Sequence, residues 1–207
     1  MIAIIDYKAG NLTSVKLAFQ ALGAEAEITN DADTILSAER VVFPGVGAAG
    51  AAMEYLNQTG LAEIIKAKIA TGAPFLGICF GMQLLFAASE EDGGVPCLGV
   101  FPGQVKRFKP VHAKYKIPHM GWNSVTLKKS HPLLVDIEDQ SEFYFVHSYY
   151  PDSSDDGLVF GRTDYAEANF TSIVGRGNVL ATQFHPEKSG RIGLKLLENF
   201  SRWDGTC

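Results

Sequence analysis

Apolar residues fall along this chain in two rhythms, one in each half. Through the first 88 residues, short apolar runs alternate with segments whose apolar positions recur at helical spacing. Ile2 to Ile5 is a continuous run, the pattern of a strand covered on both faces. A polar loop, Asp6 to Asn11, separates it from Leu12, Val15, Phe19 and Leu22, which share one helical face. Asn11 is placed to cap that helix and Gly23 to stop it. The same alternation predicts strands over 24–29 and 41–43, helices over 31–38, 49–56 and 61–70, and a buried strand running into Cys79. Strand and helix in turn predict an α/β fold, with a mostly parallel, doubly wound sheet, right-handed crossovers and helices on both faces.

From Val100 onward the rhythm shortens. Stretches at 103–108, 124–127, 142–148, 158–162, 170–174 and 179–184 predict antiparallel strands in the C-terminal half, extending an edge of the parallel sheet. Leu196, Leu197 and Phe200 predict a closing helix over 190–200. No repeat, low-complexity run or linker intervenes, so the expected organisation is one domain over 1–207.

Composition removes several classes of function. A net charge of −5, with no basic run, argues against a nucleic-acid partner. No apolar run reaches the roughly 18 residues of a membrane span, and no basic, cleavable leader precedes Ile2. Cys79, Cys97 and Cys207 form no paired framework and no C-x-x-C, which favours a reducing, cytoplasmic compartment. Nothing in the chain asks for a cofactor, and no ligand set stands at metal-binding spacing.

In a doubly wound sheet, ligands sit beyond the carboxyl ends of the strands. That singles out the loops after Ile5, Phe43 and Ile78. The last holds Gly77-Ile78-Cys79-Phe80-Gly81, a nucleophile elbow with sulfur in place of serine oxygen. So tight a corner needs small neighbours, the glycines are expected to meet its backbone angles, and the bend to aim the sulfur at solvent beside free helix-terminal amides. A plain buried core cysteine is the bland alternative. A cysteine nucleophile wants a base and a group to orient it. Of five histidines, His185 ends a predicted strand and is followed by Pro186-Glu187, where proline forces a turn and a carboxylate can face the ring. His112 and His131 read as surface residues, and Cys97 and Cys207 receive no role. An oxyanion needs donors from two directions. The Phe80 amide supplies one, and the Gly45-Val46-Gly47 backbone in Pro44-Gly45-Val46-Gly47 the other.

The G-I-C-F-G-M-Q block, the P-G-V-G loop and the late H-P-E together resemble class I glutamine amidotransferases, over nearly the whole chain. Asp6-Tyr7 with Gly10-Asn11-Leu12, Pro118 to Asn123, Phe145 to Tyr149 and His185 to Ser189 resemble one branch of that family. Its members are glutaminase subunits that feed a separate (β/α)8-barrel cyclase making imidazole glycerol phosphate, in histidine biosynthesis. Met120-Gly121-Trp122-Asn123 is the most discriminating stretch.

The resemblance implies a Cys79, His185 and Glu187 triad that hydrolyses glutamine to glutamate and ammonia through a γ-glutamyl thioester. It implies that Gln83, Gly47, Ser148 and Tyr149 hold glutamine, and that the Val46 amide faces the oxyanion once its peptide turns on partner occupancy. It places Asn11, Met120, Trp122 and Lys188 at the interface of a heterodimer with the cyclase, since 207 residues leave no room for an acceptor-binding domain. Two features depart from the commoner pattern: Ala48-Ala49-Gly50 where an aromatic is usual, and Ser148 where threonine is frequent. The competing readings are a glutaminase subunit for anthranilate, aminobenzoate or pyridoxal phosphate synthesis, a non-enzymatic module on the same fold, and a cysteine hydrolase of another amide or ester.

Overall fold

The computed structural model of the chain describes residues 1–112 and 114–206. The alternation read from the first half is present: β1 (Ile2–Ile5), α1 (Leu12–Ala21), β2 (Ala26–Thr29), α2 (Ala32–Ser37), β3 (Arg40–Phe43), α3 (Ala49–Gln58), α4 (Leu61–Ala70), β4 (Phe75–Ile78) and α5 (Phe80–Leu84). The second half adds β5 (Phe86–Ser89), β6 (Val95–Pro96), β7 (Phe101–Arg107), β8 (His119–Ser124), β9 (Thr126–Leu127), β10 (Glu142–His147) and β11 (Tyr149–Ser153). It closes with β12 (Val159–Tyr165), β13 (Ala168–Arg176), β14 (Val179–Thr182) and α6 (Gly190–Arg202).

The main sheet has the order β2-β1-β3-β4-β14-β13-β12-β9. Its first five strands pair in parallel, and β13, β12 and β9 add antiparallel ones at the edge, as expected. β1 shows why its run is apolar throughout. Ile2 and Ile4 enter the core on one face of the sheet, and Ala3 and Ile5 enter the core on the other. Leu196, Leu197 and Phe200 of α6 are buried in the first of these cores.

Two smaller sheets differ from the sequence reading. β8 pairs with β10, so the strand expected over 124–127 begins at His119 and breaks into two. β11-β7-β5-β6 forms a separate sheet whose β5, β6 and β11 went unforeseen. The apolar run after Cys79 is helical only to Leu84, and Phe86 then pairs in parallel with Phe101. β11 carries Pro151, which a sheet tolerates at an edge, the position β11 occupies. The expectation for Cys207 lies outside the described residues. Among the described residues, no helix is long and apolar enough to cross a membrane.

Candidate active site

Between β4 and α5 the chain turns on Cys79, with φ 53° and ψ −107°. This backbone region costs a residue with a side chain on the order of 1–3 kcal/mol and persists where its surroundings over-determine it. Here the Cys79 N–H donates to the Thr182 carbonyl at 2.7 Å, and the Cys79 carbonyl accepts from the Gln83 N–H at 3.1 Å. The strained angle therefore falls on the cysteine and not on its glycines. Those are needed for room. A Cβ on Gly81 would overlap the Phe43 carbonyl oxygen, and one on Gly77 would stand 2.9 Å from both Ala181 and Leu85. The sulfur is also less open than expected: Cys79 is only 4% exposed and lies on the floor of a cavity.

The histidine arrives from the neighbouring strand. β14 ends at Thr182, and Pro186 opens a single 3-10 turn, Pro186–Lys188, because proline has no N–H to continue a ladder. β10 holds this turn from the side. The His185 N–H donates to the Tyr144 carbonyl at 2.9 Å, while Ser189 Oγ donates to the His185 carbonyl at 2.6 Å and accepts from the Tyr144 N–H at 2.9 Å.

His185 Nδ1 and Glu187 Oε1 lie 2.8 Å apart with both side chains wholly buried. Asn11 Nδ2 donates to the same oxygen at 2.7 Å. His185 Nε2 has no hydrogen-bond partner among the described residues, and the Cys79 sulfur is one of the groups that act on the ring. Burial pulls the imidazole pKa down, but the Cys79 charge and Glu187 outweigh it and raise the value to about 10. Burial likewise opposes ionisation of Glu187, yet His185 and Asn11 hold its carboxyl below the ordinary value. The result is an imidazolium held between the Cys79 sulfur and the Glu187 carboxylate.

The cavity above Cys79 has a volume of about 270 Å³ and is lined by Val46, Gly47, Cys79, Phe80, Gln83, Glu91, Pro118, Val146, His147, Ser148 and Tyr149. It gathers six of the seven residues expected for oxyanion and substrate binding. Gly45 lies behind it, against the Tyr7 hydroxyl. The first helical bond of α5 is that of Gln83, which leaves the Phe80 amide free, and the Gly45, Val46 and Gly47 amides find no partner among the described residues. Gln83 Nε2 donates to the Tyr149 carbonyl and to Gln183 Oε1, both at 2.8 Å, so its own Oε1 is left for a ligand.

Two residues of this site went unnoticed in the sequence. Glu91 lines the cavity while its Oε2 accepts from the Ala49 N–H at 2.9 Å; beside it, Asp92 Oδ2 accepts from the Gly50 N–H at 2.9 Å. The pair thereby caps the start of α3, directly after the glycine loop. Burial is the main reason the Glu91 carboxyl sits above its ordinary pKa. The Glu90-Glu91-Asp92 run resembles any solvated acidic turn, so nothing marked it. Gln183 is the second; its one signal is a polar side chain inside the apolar run 179–184.

The residues expected at an interface are placed differently from one another. Met120 and Trp122 project from β8 and are 62% and 54% exposed, which excludes a core aromatic; Lys188 is exposed on the turn beside the triad. The Trp122 ring stands edge-on to Tyr144, the residue that holds the His185 turn. Asn11 occupies the N-cap position of α1 in a left-handed conformation, but its side chain caps nothing and turns to Glu187. His112 is exposed as expected. His131 is not: it is buried, its Nδ1 accepting from the Leu133 N–H at 3.1 Å and its ring edge-on to Phe160 and Trp203. His147, in the cavity wall, and His119, 3.0 Å from it, are likewise buried, and desolvation lowers the pKa values to about 3 and about 4.

A cysteine sulfur at a strand end, set with a carboxylate-backed imidazolium beneath an open cavity, is equipment for acyl transfer in a thiol hydrolase of the α/β class. The Glutamine amidotransferase class-I profile matches residues 3–202, and the chain belongs to that family. It is 48% identical to the imidazole glycerol phosphate synthase subunit HisH of Nitrosococcus oceani, over 99% of this chain and 98% of that one. It is 49% identical to the subunit of the same name from Methanocaldococcus jannaschii, over 97% and 98%. Among solved structures, a glutamine amidotransferase superposes with a TM-score of 0.75 over all of both chains at 19% identity. PurLQS from Thermotoga maritima superposes with 0.75 over 97% of each at 18%. At those identities the structures speak for the fold alone.

Proposed function

We propose that residues 1–207 form one glutaminase domain that supplies ammonia to the cyclase subunit of an imidazole glycerol phosphate synthase. The observation that carries the glutaminase half is the His185–Glu187 pair at 2.8 Å, with a free Nε2 beside Cys79 under the cavity. The relatives named above support the cyclase half, together with exposed Met120 and Trp122 next to the triad turn.

The chemistry follows from the placement of the groups. Glutamine enters with its α-ammonium toward the Glu91 carboxylate and Gln83 Oε1, the acceptors facing the cavity. Its carboxylate lies toward Ser148 and Tyr149, beside Gly47. The Cys79 thiolate attacks the side-chain carbonyl carbon. The oxyanion is met by the Phe80 amide and by the Val46 amide once its peptide faces inward. His185 gives its Nε2 proton to the departing amine, and ammonia leaves a γ-glutamyl thioester. His185 then takes a proton from water, whose oxygen attacks the thioester, and glutamate and the thiolate are released. Glu187 keeps the ring oriented throughout and stabilises it in its protonated form. Met120, Trp122 and Lys188 anchor the barrel cyclase, and Asn11 lies between that face and the triad.

The test is glutamate release by the purified chain with and without the barrel cyclase and its nucleotide substrate. Strong enhancement in the complex is expected. The proposal fails if the cyclase leaves glutamate release unchanged while chorismate-dependent synthase components enhance it.

A further inference from the structure

The Cys79 sulfur has two hydrogen-bonding neighbours among the described residues. At 3.9 Å lies the Val146 carbonyl, an acceptor; at 3.5 Å lies Gln183 Nε2. Which end of the Gln183 amide faces the sulfur can be worked out from the network. The Tyr149 carbonyl only accepts, so the Gln83 atom 2.8 Å from it is the amino group. That same nitrogen stands 2.8 Å from Gln183, which must therefore present its oxygen to Gln83 and its N–H to Cys79. Gln183 is completely buried, and its backbone N–H is tied to the Ser172 carbonyl at 2.9 Å, so the donor is fixed before substrate arrives.

We infer that Gln183 is a further catalytic residue, whose side-chain N–H stabilises the Cys79 thiolate that attacks glutamine and is released again when the thioester is hydrolysed. The inference rests on the glutaminase reading and adds a role to it. The site serves both states of the sulfur. The thiol donates its proton toward Val146 O; when that proton passes to His185 Nε2, the thiolate accepts from Gln183. During attack the S–C bond forms and this hydrogen bond weakens. During deacylation the S–C bond breaks, the thiolate carries the electron pair away, and the hydrogen bond is restored. The ladder continues from Gln183 through Gln83 to the Tyr149 carbonyl at the cavity wall, so the donor and one wall of the substrate site are set together.

The experiment is the pH dependence of Cys79 alkylation by iodoacetamide in the full chain, measured on the Cys79 peptide by mass spectrometry and paired with glutaminase kcat and KM in the cyclase complex. Gln183→Glu keeps the acceptor for Gln83 and removes the donor when ionised; Gln183→Met removes both. Each is expected to move the alkylation midpoint up by about one pH unit or more, and to lower kcat about tenfold or more with little change in KM, the scale of a hydrogen bond to a charged atom. A folded variant whose alkylation profile overlays that of the unsubstituted chain overturns the inference. If neither variant folds, the Gln183 side-chain amide resonances of the unsubstituted 15N-labelled chain decide: they must shift with Cys79 ionisation, and resonances that ignore it overturn the inference. Alkylation needs no glutamine, so a chain with the expected profile and no glutaminase activity would sink the proposed function and leave the sulfur's donor intact.

Discussion

Asn11 joins two roles that can be separated by experiment. Its side chain donates to Glu187 Oε1 at 2.7 Å, and its chain position is one expected to meet the cyclase. Asn11→Ala removes one of the donors of a carboxylate whose other oxygen, Oε2, is buried without a partner. A hydrogen bond to a charged group contributes about 1.5–3 kcal/mol, or roughly 10- to 150-fold if lost wholly from the transition state. Asn11 is itself only half-buried, so water can replace part of the bond, and the expected loss in kcat lies near the lower end, about tenfold. Asn11→Asp is the sharper perturbation. Its carboxyl would stand within hydrogen-bonding distance of Glu187, so only its protonated form can donate, and activity should decline as pH rises through the raised pKa of that acid. The assay is glutamate release at saturating cyclase over a pH series, with the affinity of the two chains measured separately. If Asn11→Ala lowers affinity but keeps kcat within twofold at saturation, the support of Glu187 is refuted and Asn11 is an interface residue only.

Three further outcomes are expected. Cys79→Gly should abolish glutamine use while ammonia-dependent cyclase activity persists; relief of the φ 53° strain should raise the melting temperature by a few degrees, and an unchanged or lower one would show the elbow unstrained. Stability should peak near neutral pH. The raised pKa of His185, about 10, gives stability that is full below pH 6.5 and lost as pH climbs toward 10, whereas His119, His131 and His147, with folded values of about 4, 4 and 3, remove stability as pH falls from 6.5. Urea unfolding across that range checks both limbs, and His131→Asn, which can keep the cap on Leu133, should make the acid limb shallower. Trp122→Ala should weaken binding to the cyclase by about tenfold or more with little change in melting temperature, since the ring is more than half exposed; unchanged affinity in titration calorimetry would remove it from the interface.

The parallel half of the fold was legible because its central strands, β1, β3 and β4, are buried on both faces. A run such as Ile2 to Ile5 has no other economical reading, and Cys79 and His185, two of the three residues proposed for catalysis, lie just beyond strand ends, where topology directs attention. What escaped notice had physical reasons. β8 carries His119, Met120, Gly121, Trp122 and Asn123, a sequence without period-two alternation because Met120 and Trp122 are left open to solvent. β5 hides in an apolar run that a helix would explain equally well. Gln183 and Glu91 became visible only when folding brought residues about a hundred apart, and forty apart, into single contacts. Of the two reasons expected for the glycines of the elbow, the need for small neighbours holds and the backbone angles do not, and which groups crowd them, Phe43, Ala181 and Leu85, cannot be read from the local pattern.

That crowding has a mechanical consequence. Gly81 presses on the Phe43 carbonyl, so the root of the glycine loop is seated on the same elbow that carries the sulfur. At the far end, Glu91 and Asp92 grip the amides of Ala49 and Gly50. Between these two bearings only residues 44–48 are left to turn. The loop is a short crank with both journals fixed, and rotating it can change which way an amide points without moving the nucleophile or the helix behind it.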